Sequence, residues 1–262
     1  MKKLLLASLA FIGITLTSCD FGGTKVEPTP VELSYYSESR VAQILYNDIV
    51  NQAMALTKLR VDNPSGTADP TGTVISSIEN GQMTVTYNEN EVSRRLGKLK
   101  ITFTGTPLAE GSSMQIVPED LSYSGLKISG TISVDILPKG SMKAKQDIVV
   151  EGGRLLDALG VEVSFSCNLT REQSEGASSQ ISTDDIYSFT GYFSGVLTNK
   201  TPYALNIVEP ISLGYGSGYF KSGKVTMRPS TYTDAYTITF GQGEYLNEVL
   251  LTYQGVAKLY RI

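Results

Sequence analysis

After Gly72 the sequence repeats one pattern, in which apolar residues alternate with Thr, Ser or charged residues over short segments. A period of two residues is typical of a β-strand with one buried and one solvated face. The clearest segments are 83–87, 99–103, 126–134, 147–150, 225–227, 236–240 and 249–253. Turn signals separate them at 79–82, 124–125, 138–140 and 254–255. This spacing predicts an all-β fold, either an antiparallel β-sandwich or two packed twisted sheets.

One segment has helical periodicity instead. Between Ser37 and about Leu59, apolar residues recur every three or four positions: Val41, Ala42, Leu45, Ile49, Ala53 and Leu56. Ser37 is a suitable N-cap, and Asn-Pro-Ser-Gly at 63–66 stops the helix. We therefore expect one N-terminal helix that covers a face or an edge of a sheet. Residues 154–159 could form a further helical turn.

The two halves of the β region share short sequences. Thr106-Pro107 returns as Thr201-Pro202, 116–119 is echoed by 207–210, and 129–134 by 222–227. The first and third offsets are 201 − 106 = 95 and 222 − 129 = 93 residues. The pattern favours a duplicated unit with halves at 72–172 and 183–262. The alternative is convergence, because strands rich in Thr, Ser and Gly resemble one another.

The residue types that are missing exclude several functions. The chain of 262 residues has no histidine and no tryptophan. Without histidine there is no Ser-His-Asp or Cys-His mechanism and no zinc site that needs imidazole. Without tryptophan the strongest sugar-stacking side chain is absent. The formal net charge of −4 gives no electrostatic support for a nucleic-acid partner. No cofactor is expected.

The N-terminus has the pattern of a secretory signal. Lys2 and Lys3 precede an apolar stretch from 4 to 16, which is shorter than the roughly 20 residues that span a bilayer. Leu16-Thr-Ser-Cys19 resembles the bacterial lipobox, in which the cysteine is lipidated; an ordinary signal with a chance cysteine is the alternative. We expect a signal peptide at 1–18, the lipidated Cys19 with a tether at 19–33, and one β-rich domain at 34–262. The lipid would then anchor the protein to its expected partner, an outer membrane. Whether the protein lies on the periplasmic or the surface face of that membrane stays open.

The remaining reactive groups form no recognisable catalytic set. Cys167 lies on the apolar face of an alternating strand and has no second mature cysteine to pair with, so we interpret it as a small buried side chain. Carboxylates alone can run glycoside hydrolysis. The candidate pairs are Asp184/Asp185, Glu119/Asp120 and Glu89/Glu91, but neighbours on a strand point to opposite faces.

The glycine- and tyrosine-rich run 214–220 is the best candidate for a contact surface. It is not a G-x-S-x-G nucleophile elbow, because Tyr215 and Tyr219 stand two residues either side of Ser217. Tyr215, Ser217, Tyr219 and Phe220 could contact a sugar or a peptide. The alternative is that these aromatic rings pack in the core.

Short segments across roughly 70–262 carry a resemblance to known proteins: 97–105, 111–112, 121–131, 184–187, 191, 221–225, 240–244, 247 and 253–255. Together they resemble a group of uncharacterised envelope lipoproteins of Bacteroidetes. It implies an all-β extracytoplasmic protein and brings no known activity.

The chain departs from that pattern in the acidic loop near its end. Gln242 and Leu246 stand where the group has aspartates, and Tyr245 stands where it has a cysteine. Glu244, Asn247 and Glu248 remain as weak oxygen donors, fewer than the six or so that a hard cation wants. No metal site is therefore assigned.

These observations favour a lipid-anchored, non-catalytic module for binding, adhesion or scaffolding, with a glycan or a protein as ligand. Two alternatives stay open: a carboxylate-dependent glycan hydrolase and a carrier of an apolar ligand. A hydrolase should hold two carboxyl groups about 5–10 Å apart in a cleft. A carrier should contain a large apolar cavity. The oligomeric state is not readable from the sequence.

Overall fold

In a computed structural model, the chain is described at residues 28–64, 73–88, 94–138, 144–176, 184–215, 217–241 and 247–262. The predicted signal peptide and Cys19 lie outside these ranges. One helix, α1 (Pro30–Asp62), precedes the strands. The strands are β1 (Val74–Ile75), β2 (Gln82–Tyr87), β3 (Arg95–Thr104), β4 (Ser113–Tyr123), β5 (Leu126–Ile136), β6 (Lys145–Leu156), β7 (Glu162–Glu175), β8 (Ile186–Val196), β9 (Pro202–Gly214), β10 (Phe220–Pro229), β11 (Tyr236–Phe240), β12 (Glu248–Tyr253) and β13 (Val256–Arg261).

All thirteen strands form one antiparallel sheet, and each strand pairs with its neighbours in sequence. The sheet is not closed into a barrel, because β1 pairs with β2 and β13 with β12 but not with each other. The prediction of an antiparallel all-β fold with one N-terminal helix is confirmed. The strands belong to a single continuous sheet rather than to two separate ones.

The predicted tight turns are confirmed by their backbone angles. Both central residues have positive φ at Asn80–Gly81, Ser124–Gly125 and Gln254–Gly255. Two successive positive φ values define the mirror-image turn that matches the right-handed twist of paired strands. Residues 139 and 140 of the predicted turn at 138–140 lie outside the described residues.

The helix begins seven residues before the predicted Ser37, so that N-cap is wrong. Thr29 is the N-cap, Pro30 occupies the first helical position, and Glu32 completes a capping box by accepting a hydrogen bond from the Thr29 N–H at 2.7 Å. Residues 30–33, which were assigned to the tether, are therefore helical. The predicted turn at 154–159 is also wrong at its start, because β6 continues to Leu156.

The sheet curls around the helix: Arg60, near the helix end, contacts β1, and Pro28, two residues before the helix start, contacts β13. Arg60 donates to the Ile75 carbonyl of β1, and the Tyr260 hydroxyl of β13 donates to the Pro28 carbonyl at 2.5 Å. Alternate strand residues and one side of the helix form a single buried apolar cluster between them. The described part of the chain contains no helix whose length and apolar character would let it cross a membrane.

Three of the β-bulges in the sheet lie next to glycines. The register shifts between β3 and β4 next to Gly97, between β5 and β6 next to Gly130, and between β6 and β7 next to Gly153. A Cβ atom at Gly97 would lie 2.2 Å from the Asp120 carbonyl oxygen, and one at Gly153 would lie 2.6 Å from the Phe165 carbonyl oxygen. Only glycine allows the backbones to approach this closely.

The short sequences that the two halves share do not all occupy equivalent positions in the structure. Thr106 lies in the turn between β3 and β4, whereas the matching Thr201 directly precedes β9. Gly130 on β5 and Gly223 on β10 both have positive φ at a bulge, but they approach opposite neighbours, β6 and β9. Strands five apart in this sheet also run in opposite directions. The third echo therefore marks a shared local bulge, and the duplication stays a prediction.

Candidate functional site

The bulges create a hollow on the outer face of the sheet, across β3 to β7. We call it the outer hollow. Its volume is about 440 Å³, within the range of small-ligand sites. It is lined by Leu96, Pro118, Asp120, Leu121, Ser122, Lys127, Ile128, Ser129, Arg154, Leu156 and Glu162.

Strand register explains why residues distant in sequence meet there. Leu96 pairs with Ser122, Ser122 with Lys127, Lys127 with Leu156, and Leu156 with Glu162. Directly opposed residues in an antiparallel sheet project to the same face, so these five form one row across five strands. Their chain neighbours Leu121, Ile128, Leu155 and Val163 are buried on the inner face. The row therefore faces outward.

The hollow lies beside this row, where the pairing between two strands is interrupted. The ladder between β4 and β5 stops at Ile116–Ile132 and resumes at Ser122–Lys127. Within the break Asp120 has a φ of 48°, in the left-handed region, with its carbonyl against Gly97. The bulge exposes Asp120 while Leu121 stays buried. The result is a depression between two well-paired stretches of the sheet.

The outer hollow carries charges of both signs beside aliphatic surface. The Arg154 Nη1 and Glu162 Oε2 atoms lie 3.9 Å apart, and the Arg154 side chain is 62% exposed. Lys127 and Asp120 are exposed in the same hollow. Leu96 and Leu156 supply apolar walls. Among the described residues, none that lines the hollow has an aromatic side chain.

Two carboxyl groups, those of Asp120 and Glu162, therefore share one hollow. Asp120 belongs to the predicted pair Glu119/Asp120, whose other member is also exposed and pairs with Lys100 at 3.2 Å. Neither Asp120 nor Glu162 is fully buried. A general acid usually needs an apolar, water-excluded pocket, and the outer hollow does not provide one around either group.

Within the run 214–220, of which residue 216 lies outside the described residues, the structure favours the core-packing alternative for Phe220. Phe220 is 4% exposed and belongs to the core, so it is not available to a ligand. Tyr219 is half-buried, with the Arg40 guanidinium 4.7 Å from its ring centroid. Ser217 bonds to the Tyr219 backbone, and the Tyr215 N–H donates to the Asp185 carbonyl at 2.9 Å. Helix α1 and the neighbouring loop therefore pin this segment instead of leaving it open.

The structure describes some of the other predicted site residues. Asp185 accepts a hydrogen bond from Gln173 at 2.7 Å, while Asp184 is exposed. Glu89 and Glu91 lie outside the described residues. Cys167 is buried and unpaired, and burial raises the pKa of its thiol to about 12, which does not suit a nucleophile.

Of the weak oxygen donors near the C-terminal end, the structure describes Asn247 and Glu248. Glu248 pairs with Arg261 at 2.9 Å, Asn247 accepts the Ile262 N–H through its carbonyl oxygen, and Glu244 lies outside the described residues. Within the described ranges there is no group of three or more cysteine or carboxylate side chains placed to hold a metal ion.

An apolar cavity lies between α1 and strands β6 to β10, and it bears on the carrier alternative. It is lined by side chains such as Tyr46, Phe165, Phe193 and Phe220, and its volume is about 20 Å³. That is room for about one water molecule. The large apolar cavity that a carrier needs is not present at this place.

A buried arginine lies beside this cavity. Arg171 on β7 is 1% exposed and donates to the Gln146 and Asn51 side-chain oxygens at 2.9 and 2.6 Å. Its guanidinium also lies 4.5 Å from the Tyr187 ring centroid. These contacts tie α1 to β6, β7 and β8, so we interpret Arg171 as a structural residue.

No protein-family model, curated protein or solved structure matches this chain. Asp120 was a candidate site residue from the sequence alone, whereas Lys127, Arg154 and Glu162 were not. Those residues come together only through register across several strands. Gly97, Gly130 and Gly153 inside strand-like segments were the available signal, because glycine in a strand often marks a bulge.

Proposed function

We propose that this protein is a lipid-anchored, non-catalytic binding module of the bacterial cell envelope and that the outer hollow is its ligand site. The observation that carries the binding role is the hollow itself, about 440 Å³ in volume and framed by bulged strands. Rigid strands hold its side chains, which suits recognition with little rearrangement.

The chemistry of the hollow favours a peptide segment over a neutral glycan. Leucine side chains stand beside a lysine, an arginine and two carboxylates, and serine hydroxyls lie between them. Sugars are usually held by aromatic rings, whereas aliphatic and charged side chains of both signs complement a short peptide. The ligand class is therefore a protein segment with aliphatic and charged residues.

The envelope location rests on the sequence of the N-terminus. A basic pair, an apolar stretch and Leu-Thr-Ser before Cys19 form a lipoprotein signal. Multiple acyl chains on one cysteine anchor a protein stably. Replacing Cys19 by Ala should move the protein from the membrane fraction to the soluble fraction; an unchanged membrane fraction would overturn the anchoring.

The binding role is tested with a displayed library of random peptides selected on the full-length protein. We expect enriched peptides that bind the wild type at least tenfold more tightly than the double variant Lys127→Glu/Arg154→Glu. Lys221→Glu is the matched control, because Lys221 is also exposed but lies on β10. Equal binding to wild type and double variant, or no enrichment, would overturn the proposal.

A hydrolase remains the second candidate, because Asp120 and Glu162 face the same hollow. Purified protein incubated with peptidoglycan should release no new reducing ends if the binding proposal is correct. Release that disappears in both Asp120→Asn and Glu162→Gln would instead establish a catalytic role.

A further inference from the structure

The row of side chains that crosses the outer hollow has two aliphatic positions with polar positions between them. Leu96 on β3 is 49% exposed, and Leu156 on β6 is half-buried. Ser122 on β4 and Lys127 on β5 lie between them, and each residue is directly paired with the next one in the row. The order from β3 to β6 is therefore aliphatic, hydroxyl, cation and aliphatic.

The distance between the two leucines follows from the geometry of a sheet. Neighbouring strands lie about 4.8 Å apart, so the three spacings from β3 to β6 add up to about 14 Å. All three steps of the row are direct pairs, and none of them crosses a register shift. The backbones of Leu96 and Leu156 are therefore separated by about 14 Å across the strands.

An extended peptide that lies along this row matches that distance. A strand rises about 3.4 Å per residue and alternate side chains share a face, so residues i and i+4 lie about 14 Å apart on one face. Residue i+2 on the same face lies about 7 Å from each of them, which is midway between Ser122 and Lys127. A helix rises only about 1.5 Å per residue and would need roughly nine residues to span the leucines.

The side chains at the middle of the row favour an acidic ligand residue. Lys127 is exposed, and no salt bridge among the described residues includes it. Arg154 is a second exposed cation on the same face, paired with Ser129 in the next row. Asp120 opposes this preference, but it lies two residues before Ser122 along β4 and outside the row. A carboxylate at the middle point can accept hydrogen bonds from a hydroxyl and an ammonium group.

We propose that the outer hollow recognises an extended protein segment with aliphatic side chains at positions i and i+4 and an acidic side chain at i+2. This inference rests on the binding role proposed above and adds the conformation and the spacing of the ligand. The aliphatic side chains pack on Leu96 and Leu156, and the carboxylate lies between Ser122 and Lys127. Residues i+1 and i+3 point away from the sheet, so their identity is unrestricted.

The spacing is tested with a displayed library of random nine-residue peptides, selected in parallel on the full-length protein and on its Lys127→Glu variant. We expect peptides enriched on the wild type to share the i, i+2, i+4 pattern. On the variant, a basic residue should replace the acidic one at i+2, while the aliphatic positions keep their spacing. Lys127 is exposed, so the substitution should leave the fold intact.

A synthetic peptide with the enriched pattern then tests the leucine contact. Removing one residue between its two aliphatic positions should weaken binding at least about tenfold. Leu96→Ser should weaken binding of the intact peptide about fivefold or more, because apolar surface is no longer buried. Leu259→Ser is the matched control, since Leu259 is 47% exposed but lies on β13, and it should change the affinity less than about twofold.

The possible failures separate this inference from the binding role. Absence of enriched peptides would overturn both. Enriched peptides that lose binding in Lys127→Glu/Arg154→Glu but share no spacing, or that follow the helical spacing i, i+3, i+7, would overturn the inference and leave the binding role intact. A dimer in sedimentation velocity that Leu96→Ser abolishes would assign the row to a second copy of this chain and would also overturn the inference.

Discussion

The Arg171 Nη1 atom donates a hydrogen bond to the Asn51 Oδ1 atom at 2.6 Å, which joins the middle of the sheet to the middle of the helix. The other close oxygen acceptors of this guanidinium are also neutral amide oxygens, on Gln146 at 2.9 Å and Asn47 at 3.3 Å. Burial lowers the pKa of Arg171 to about 10, while Tyr187 and Asp185 act in the opposite direction. A cation is thus kept in the interior by oriented dipoles and one nearby carboxylate.

Replacing this arginine should destabilise the fold strongly. Arg171→Met removes the donors and leaves three side-chain amide oxygens without their partner, which costs about 1–3 kcal/mol for each group that stays buried. We expect the free energy of unfolding to fall by at least about 2 kcal/mol, measured by urea titration. Arg228→Met is the control, because Arg228 is exposed on β10, and its effect should stay within about 0.5 kcal/mol. A smaller loss at 171 than at 228 would contradict this role.

A methyl group at Gly153 should disrupt the bulge beside the outer hollow. The new Cβ atom would lie 2.6 Å from the Phe165 carbonyl oxygen and 2.8 Å from the Tyr46 hydroxyl, so backbone must move. We expect Gly153→Ala to cost about 1–3 kcal/mol in urea unfolding. Gly218→Ala should be nearly neutral, because a Cβ atom there meets nothing within 4 Å. Equal stability of the two variants would show that the bulge tolerates a side chain.

Removing the hydroxyl group from two buried tyrosines should change the free energy of unfolding differently. The Tyr46 hydroxyl donates to the Ser129 carbonyl at 2.6 Å, at the bulge beside Gly130, whereas the buried Tyr36 hydroxyl has no partner among the described residues. Tyr46→Phe should therefore lower the free energy of unfolding by about 1–3 kcal/mol. Tyr36→Phe should leave it unchanged or raise it. Thermal and urea unfolding of both variants check the order, and a larger loss for Tyr36→Phe would refute it.

Much of the fold was predictable because local patterns decide it. Period-two alternation places the strands, and dipeptides such as Asn80-Gly81 specify turns that need positive φ. The helix start was missed because Pro28 and Pro30 suggested a tether. The capping box of Thr29 and Glu32 around Pro30 was in fact a start signal.

The candidate site was less predictable because it depends on long-range register. No local pattern says that Leu96 and Glu162 lie in one row, since three strands separate them. Arg171 was detectable in principle, because it lies on the same side of β7 as the buried residues Phe165, Cys167 and Leu169. A charged residue on the buried side of a strand indicates a buried polar cluster, but only the contacts with the helix reveal its partners.

The missing histidine now has a consequence for stability as well as for catalysis. No imidazole titrates near neutrality, so the free energy of unfolding should be nearly constant between about pH 6 and 8. Burial raises the pKa of seven tyrosines above the ordinary value of about 10: Tyr36, Tyr46, Tyr187, Tyr203, Tyr215, Tyr232 and Tyr236.

A phenol whose pKa is higher in the folded than in the unfolded state stabilises the fold fully below about pH 10, and this contribution is lost as the pH rises further. Arg171 acts oppositely, because its lowered pKa favours the folded state above about pH 10, but it is one group against seven tyrosines. We therefore expect the free energy of unfolding to fall by more than about 1.4 kcal/mol per pH unit above pH 10. Urea titrations at pH 7, 9 and 11, with tyrosinate absorbance as a second signal, measure this. Stability that is unchanged at pH 11, or that already falls between pH 6 and 8, would contradict the assignment.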